Sequence, residues 1–355
     1  MKMGIVGLPQ SGKTTLFSLI AGKSGSMTGK GDRKIAIAYV RDKRLDKLHE
    51  FYPPAKKIYA AVEFLLVPSI TKDPQDRKKS FSLMAEANAV LFVVRAFQND
   101  AVYHIDTVVD PSRDIKTLID EMILYDLELI EKRLINIEKD LKKNKLDILL
   151  KEQNLLNEFQ KTLEEEQPLR ELEIDQESLK MIKGFNFLTL KPIVILLNVN
   201  EDQIEKKEIL DKITLKFGSE NVGILQFCAP IEQEISELED KDEREVFLKD
   251  LGFDEPAVER TIKVSYTTLG YLSFFTIGDD EVRAWTVKEG ALAPTAAGVI
   301  HSDLERGFIR AEVIKFDDFI ALNGENECKK AGKSMLKGKD YVVEDGDIIN
   351  IRFNV

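Results

Sequence analysis

The sequence predicts an α/β protein with a doubly wound main domain, a helical insertion and a second, smaller domain that is mostly β-structure. Five apolar runs typical of buried parallel strands alternate in several places with helical patterns. A glycine-free amphipathic stretch interrupts them, and beyond about residue 271 the chain changes to short alternating segments separated by glycines. With 355 residues, the chain is longer than a single hydrophobic core usually becomes, so at least two domains are expected.

The composition, 43% hydrophobic and 32% charged, is typical of a soluble globular protein. No stretch approaches the roughly 18 consecutive apolar residues of a membrane span, and no signal-peptide core is present, so a cytoplasmic protein is expected. The 62 acidic and 51 basic residues give a net charge of −11, which argues against nonspecific coating of nucleic acid but leaves a local basic contact open. The two cysteines, Cys228 and Cys328, are far apart and lie outside any CxxC motif, so neither a disulfide framework nor a zinc site is expected.

The chain begins with a strand, a loop and a helix. Ile5 and Val6 lie between glycines in a short buried strand, and "TTLFSLIAG" predicts a helix that ends at Gly22. Further buried strands are predicted over 60–67, 89–97, 192–199 and 223–229. In a doubly wound sheet the functional site lies beyond the carboxyl ends of such strands.

The helical insertion extends from about residue 113 to 183. In its first half, apolar residues recur at spacings of three and four, namely Ile123, Leu127, Ile130, Leu134, Ile137 and Leu141. A second helix is predicted after Asn144, and Pro168 is expected to end the arm. Folded back on each other, the two helices would form an antiparallel coiled coil; the alternative is that the apolar stripe packs on the parent domain.

The strongest motif is a complete G-x-x-x-x-G-K-[ST] between the first strand and the first helix. Its glycines let backbone N–H groups face phosphate oxygens, Lys13 adds a positive charge, and Thr14 would offer its hydroxyl to magnesium. The alternative is a plain glycine-rich turn, which the flanking strand and helix disfavour. The predicted phosphate-binding residues are Gly7, Leu8, Pro9, Gln10, Ser11, Gly12, Lys13, Thr14 and Thr15.

The segment that would read the base is Asn198-Val199-Asn200-Glu201, at the end of a buried strand. GTPases of the translation-factor class carry Asn-Lys-x-Asp here, and the aspartate accepts hydrogen bonds from guanine. Val199 and Glu201 replace the lysine and the aspartate, so discrimination in favour of guanine should weaken or turn toward adenine. An ordinary polar turn at a strand end is the alternative.

Together with this loop, longer segments resemble the YchF subfamily of Obg-related P-loop nucleotidases, also called Obg-like ATPases. They include "GIVGLP", "VVRAF" followed by "VDPSRDI", "FLTLKP" and "CAPIEQEISEL". The C-terminal segments "GALAPTAAGVIHSDLERGFIRAEVI" and "GKDYVVEDGDIINIRFNV" are more specific still. The resemblance covers nearly the whole chain, whereas the phosphate loop alone would identify only a superfamily.

The resemblance implies a nucleotide-binding G domain at 1–112 and 184–270, a coiled-coil insertion at 113–183 and a β-grasp-like TGS domain at 271–355. It further implies a cytoplasmic protein that binds ATP (or GTP) with Mg²⁺ and associates with the ribosome or ribosomal RNA through the TGS domain and the coiled-coil arm, without DNA or membrane partners. The residues that match family positions are Asn198, Val199 and Glu201 for the base-reading segment, Cys228 and Ala229 for the fifth nucleotide segment, and His104 for a catalytic histidine.

The sequence departs from the family pattern where the second switch should be. Leu66 and Ser69 replace the aspartate and the glycine of Asp-x-x-Gly, so one support for magnesium and one contact to the γ-phosphate are lost. Asp73 or Asp76 is a less favoured substitute for the missing carboxylate. The first switch, in "GSMTGKGDRKIAIAYV", also has no clear counterpart to the family motif.

These departures leave two main hypotheses, a slow ATPase that cycles on the ribosome and a pseudo-nucleotidase scaffold that binds nucleotide without hydrolysis. A small-molecule kinase is a weaker third, because no phosphoacceptor site is recognisable. Five lysines near the C-terminus would dock on RNA phosphates or form a solvated helix face: Lys329, Lys330, Lys333, Lys337 and Lys339.

Overall fold

The computed structural model describes residues 1–24, 27–28, 33–52, 56–71, 73–102, 104, 106–142, 146–278 and 280–354. The chain forms two compact units. The first comprises Met1–Ala38 and Glu63–Thr268, and the second comprises Tyr39–Val62 and Leu269–Val355. This grouping differs from the three domains expected from the sequence, and the boundaries of those domains stay a prediction.

The strands are β1 (Lys2–Val6), β2 (Met27–Thr28), β3 (Lys34–Val40), β4 (Lys56–Ile58), β5 (Ala60–Leu66), β6 (Ala89–Arg95), β7 (Ile193–Asn198), β8 (Val222–Phe227), β9 (Tyr271–Ile277), β10 (Glu281–Lys288), β11 (Phe308–Lys315), β12 (Met335–Lys337) and β13 (Asp347–Phe353). The helices are α1 (Lys13–Ser24), α2 (Lys43–Phe51), α3 (Pro74–Ala85), α4 (Pro111–Leu141), α5 (Asp147–Glu164), α6 (Gln176–Ile182), α7 (Glu208–Phe217), α8 (Ala229–Glu237), α9 (Lys241–Asp250), α10 (Ala257–Thr268), α11 (Ala293–Ile300), α12 (Ser302–Arg306), α13 (Phe316–Ala321) and α14 (Glu325–Lys330). Two 3₁₀ helices, η1 (Leu169–Glu171) and η2 (Glu201–Gln203), lie between them.

The sheet of the first unit has the order β2-β3-β5-β1-β6-β7-β8. The pairs β1/β5, β1/β6, β6/β7 and β7/β8 are parallel, and every residue of β6 and β7 is buried. The predicted doubly wound α/β domain is therefore confirmed, and all five predicted strands are present, although the first four residues of β8 are only partly buried. Helix α1, however, continues past Gly22 to Ser24. The prediction that Gly22 ends the helix is wrong, because a glycine inside a helix costs only about 1 kcal/mol.

The predicted helical insertion is confirmed as a long antiparallel helix pair, α4 and α5. Lys116 pairs with Glu166 near one end, and Arg133 forms a bidentate pair with Glu152 toward the other, so the helices run in opposite directions. One apolar cluster joins them, formed by residues such as Ile130, Ile137, Leu156, Phe159 and Leu163. The alternative, that the apolar stripe packs on the parent domain, does not hold for the stripe itself, which belongs to this cluster. Only the turns of α4 that precede the stripe, with Ile115, Leu118 and Met122, belong to the core of the sheet.

Helix α5 ends before it reaches Pro168, the residue expected to end the arm. The helix stops at Glu164, and Glu166 adopts a positive φ of 60°, a conformation that no continuing helix can contain. The turn therefore ends the helix, and Pro168 only precedes η1.

A buried carboxylate fixes α4 to the segment that leads into β7. Asp126 is fully buried and accepts hydrogen bonds from the backbone N–H groups of Leu188 (2.9 Å) and Thr189 (2.8 Å) and from the Thr189 hydroxyl (2.6 Å). Burial raises the pKa of Asp126 to about 6, against the opposing effect of these donors. The resembling segment "FLTLKP" thus contains the attachment point of the helical insertion.

The second unit is built on a sheet of order β12-β11-β13-β9-β10-β4. Helix α11 covers one face, where Phe274, Val313 and Ile349 belong to one core. On α2, Arg44 donates to Asp345 (2.7 Å) and lies over the ring of Phe275. The expected small, mostly β domain is present, and residues 39–62 extend it by one helix and one edge strand.

Across the described ranges, no helix is both long enough and apolar enough to cross a membrane.

We expect Asp126→Ala to lower the free energy of unfolding by about 2 to 4 kcal/mol, because three buried donors lose their acceptor. Chemical denaturation at pH 7 measures the change. The matched control is Glu128→Ala, an exposed carboxylate on the same helix that pairs with Lys132, for which a change within about 0.5 kcal/mol is expected. Equal effects of the two variants would contradict the anchoring role.

Candidate nucleotide-binding site

The loop between β1 and α1 has the backbone shape that its sequence predicts. Gln10 and Gly12 adopt positive φ values of 62° and 100°, which turns the chain sharply before the first helical residue, Lys13. The N-terminus of α1 therefore opens at the loop, with its unpaired N–H groups available for an anion.

Two glycines of this loop are required by close contacts. A Cβ atom on Gly7 would lie 2.4 Å from the carbonyl oxygen of Val93, and one on Gly12 would lie 2.5 Å from Nδ2 of Asn198. Both distances are far below van der Waals contact, and backbone or a buried side chain stands on the other side. Inside the loop, the buried hydroxyl of Ser11 has no hydrogen-bond partner within the described structure. A glycine cradle with a buried unpaired polar atom suits a phosphate group.

The Lys13 ammonium is buried beside this loop, where its hydrogen bonds go to neutral oxygen atoms. Its Nζ atom donates to the hydroxyl of Ser69 (2.6 Å) and more weakly to the carbonyl of Leu8 (3.4 Å). Because both acceptors are neutral, burial lowers the pKa of Lys13 to about 8. An anion at this position would stabilise the charged form.

Asn198 braces the phosphate loop from the end of β7. Its Nδ2 donates to the carbonyl of Ser11 (3.2 Å), and its Oδ1 accepts from the N–H of Ala229 (3.4 Å) at the start of α8. The side chain is buried. It therefore joins the loops that follow β1, β7 and β8, a role that the sequence analysis did not assign to it.

An open cleft of about 570 Å³ lies beside the phosphate loop. The structure brings together around it most of the residues predicted from separate parts of the sequence: Gln10, Gly12, Thr15, Asn198, Val199, Glu201, Cys228 and Ala229. Val199 is buried and Glu201 is exposed at the start of η2. Burial raises the pKa of the Cys228 thiol, which makes this thiol a weak nucleophile.

The loop after β6 was not predicted to line the nucleotide site. It forms one side of this cleft through Phe97, Gln98, Asn99 and Val102. Arg95, at the end of β6, holds this loop by donating to the carbonyls of Phe97, Asn99 and Val102. A signal was present, because a buried strand was predicted over 89–97, and in a doubly wound sheet the functional site lies beyond the carboxyl ends of such strands.

His104 is buried, with both ring nitrogens in hydrogen bonds. Nδ1 accepts the N–H of Asp106 (3.2 Å), which places the ring proton on Nε2, where it is donated to the carboxylate of Asp114 (3.0 Å). Neither nitrogen has a free lone pair in this arrangement. The predicted catalytic role of His104 stays a prediction.

The altered second switch is occupied by apolar and neutral groups. Leu66 ends β5 beside Ile5 of β1, and Ser69 contacts Lys13. Asp73 is exposed and caps α3 by accepting the N–H groups of Gln75 and Asp76. Its carboxylate is therefore engaged as a helix cap rather than aimed at the phosphate loop. Much of the altered first switch lies outside the described residues.

A parallel sheet with a strand, a phosphate loop and a helix at its centre, and a cleft at the carboxyl ends of the strands, defines a P-loop nucleotide-binding domain. Residues 271–354 match the family described as "YchF-GTPase_C: Protein of unknown function (DUF933)".

Whole-chain comparisons agree. The "Ribosome-binding ATPase YchF" of Haemophilus ducreyi is 41% identical, over 100% of this chain and 99% of that protein. Its namesake from Bacillus subtilis is also 41% identical, over 99% of each chain. The solved structure of the Schizosaccharomyces pombe YchF GTPase has a TM-score of 0.87 and 29% identity, and the match covers 99% of this chain and 97% of that one. The chain belongs to the YchF family.

Nucleotide affinity should depend on pH through Lys13. The ammonium that binds phosphate is present below its pKa of about 8. Above that pH, binding must also take up a proton, so the affinity for ATP should fall by about tenfold per pH unit. A titration of a fluorescent ATP analogue between pH 7 and 9.5 measures the slope.

Lys13→Arg is the matched control, because a guanidinium stays charged throughout this range and its affinity should be nearly independent of pH. The comparison uses the slopes of the two proteins, since arginine itself is expected to bind less well. Parallel slopes would contradict the assignment to Lys13.

Proposed function

We propose that this protein binds ATP, or GTP, with Mg²⁺, hydrolyses it slowly and associates with ribosomes. The observation that supports this most is the buried Lys13 beside the glycine cradle, a positive charge whose bonds go to neutral oxygens. Relatives of 41% identity over the whole chain are named ribosome-binding ATPases, which supports the same function and partner.

The magnesium ion would be held by the hydroxyl of Thr14 together with phosphate oxygens of the nucleotide. Thr14 is exposed at the start of α1, next to Lys13, so its position fits this role. Leu66 offers no oxygen to the water shell of the ion. The metal should therefore contribute less to affinity here than in a P-loop protein with an intact Asp-x-x-Gly.

His104 would act on the attacking water only after it leaves its present hydrogen bonds. A general base needs a free lone pair within reach of the water, and both ring nitrogens are now occupied by Asp106 and Asp114. We propose that a rearrangement of this loop precedes hydrolysis. Such a step would make turnover slow in the isolated protein.

A scaffold that binds nucleotide without hydrolysis is the second candidate. It is favoured by Leu66, since phosphoryl transfer depends on positioning and charge stabilisation and a leucine supplies no charge where aspartate would. Ser69, in place of the glycine, accepts a hydrogen bond from Lys13 through its hydroxyl.

Single-turnover hydrolysis of ATP separates these candidates. With a slow ATPase, product forms at a low rate that ribosomes raise, and Lys13→Ala abolishes it. Leu66→Asp should increase both the rate, by about tenfold, and the dependence of ATP affinity on magnesium, measured against chelator. No product above the Lys13→Ala background, with unimpaired ATP binding, would support the scaffold. If Leu66→Asp changes neither quantity, the assignment of this position is wrong.

The base preference follows from Val199 and Glu201. We expect ATP to bind as tightly as GTP or more tightly, because the longer carboxylate is poorly placed to accept from guanine. Glu201→Asp should shift the ratio of affinities toward GTP by about threefold or more, as measured by calorimetry. A preference of the unmodified protein for GTP by more than about tenfold, or 1.4 kcal/mol, would contradict the argument.

For the ribosome, we propose contacts through the C-terminal domain and the helical arm. The C-terminal lysines are less available than their density suggests, because Lys330 pairs with Glu327 (2.6 Å) and Lys333 pairs with Asp318 (3.1 Å). Lys337 lies over the ring of Tyr341. RNA phosphates would compete with these carboxylates.

Ribosome co-sedimentation across a salt series tests the contact. Replacing Lys330, Lys333 and Lys337 with glutamine should weaken binding and reduce the slope of log K against log salt by about 2. The matched variant replaces Lys132, Lys139 and Lys142 of the arm. If only the arm variant changes the slope, the contact lies on the arm alone; if neither does, both proposed surfaces are wrong.

A further inference from the structure

The loop after β6 is held from two sides. Arg95, at the end of β6, donates to three carbonyls of the loop at distances of 3.0 to 3.3 Å. Its Cζ atom lies 4.5 Å from the centre of the Phe97 ring. Within the loop, Asn99 accepts the N–H of Ala101 (2.9 Å) and thereby closes a turn. The side of the cleft formed by this loop is therefore a folded, hydrogen-bonded structure in its own right.

Asn200, in the loop that follows β7, holds the same side of the cleft through a single residue, Gln98. Its Oδ1 accepts the backbone N–H of Gln98 (2.7 Å), and its Nδ2 donates to the backbone carbonyl of Gln98 (3.2 Å). The side chain thus copies the pairing of a β-strand neighbour. Asn200 is itself fixed, since its backbone N–H donates to Oε1 of Gln203 (3.1 Å).

Only an amide satisfies both ends of this contact. A side chain with two acceptors would face the carbonyl of Gln98 with a second oxygen, and an alanine would leave both backbone groups of Gln98 to water. The segment between β7 and η2 therefore sets the distance between the two sides of the cleft, with Phe97 and Asn99 on one side and Val199 and Glu201 on the other.

We propose that Asn200 is a positioning residue for the nucleobase, which it serves by holding the wall formed by Phe97, Gln98 and Asn99 in its binding position. This inference rests on the proposed function, because it takes the cleft to be the base site of a bound nucleotide. A wall that is already ordered does not have to be ordered at the moment of binding, and the saved conformational entropy appears as affinity.

The proposal predicts that loss of Asn200 affects the binding of the base and not the binding of the phosphates. The phosphate loop is braced by Asn198, through Ser11 and Ala229, and by the contacts of Gly7 and Gly12. The hydrogen bonds of the Asn200 side chain go to Gln98, which is not part of that loop. Loss of Asn200 should therefore weaken the binding of ligands that contain a base and spare ligands that contain only phosphates.

The test compares ATP with inorganic tripolyphosphate, both titrated calorimetrically in magnesium. Asn200→Ala should raise the Kd of ATP by about three- to tenfold and leave the Kd of tripolyphosphate within about twofold. Asn200→Asp should raise the ratio of the two Kd values in the same direction. The ratio is the proper readout for that variant, because both ligands feel its added negative charge. Gln233→Ala, a neutral change that removes an exposed amide from α8, should leave both constants as they are.

Equal losses for ATP and tripolyphosphate in Asn200→Ala would overturn the proposal, since they would indicate general damage to the site. An unchanged Kd for ATP would overturn it as well. Failure of the proposed function is distinguishable, because the unmodified protein would then bind neither ligand. Thermal unfolding measures whether Asn200→Ala is folded, and a folded variant is expected because the side chain is only partly buried and its two hydrogen bonds to Gln98 are exposed to solvent.

Discussion

The close approach of Asn198 to Gly12 is the contact on which the geometry of the site depends. The Asn198 amide bonds to the phosphate loop on one side and to the first turn of α8 on the other. A residue larger than glycine at position 12 would collide with it. Three loops that leave three different strands are thereby held in one arrangement. Most of the residues that line the cleft beside them are neighbours of these contacts in sequence, and the loop after β6 supplies the rest.

The loop after β6 contains both residues that line the cleft and the buried His104. Phe97 and Gln98 line the cleft, and a few residues later His104 is buried against Asp114. Arg95 bonds to carbonyls along the whole stretch between them. A displacement of Phe97 or Asn99 would therefore be felt as far along the loop as Val102, because the three carbonyls share one guanidinium.

What the sequence predicted correctly was local. Buried strands, the long amphipathic helices and the phosphate loop each depend on residues that are adjacent along the chain, and all are present. The roles that it did not predict depend on distant partners. Asn198, which the sequence places in the base-reading segment, also braces Ser11, which lies 187 residues away in sequence. Lys333 was grouped with neighbouring lysines, but its ion-pair partner is Asp318, on helix α13. No periodicity or spacing contains such pairings.

The altered second switch changes the balance of charge more than it changes the fold. Leu66 keeps its place in β5, paired with Ile5, because a strand residue of this kind needs only to fill space. The lost carboxylate would have been an anion at the end of the strand next to β1. Without it, Lys13 is left with the neutral oxygens of Ser69 and Leu8, and burial destabilises its charge. The phosphates of a ligand are then the anions that this charge lacks. Substitutions that impair the support of magnesium can for that reason leave the attraction for phosphate intact, and binding and hydrolysis need not be lost together.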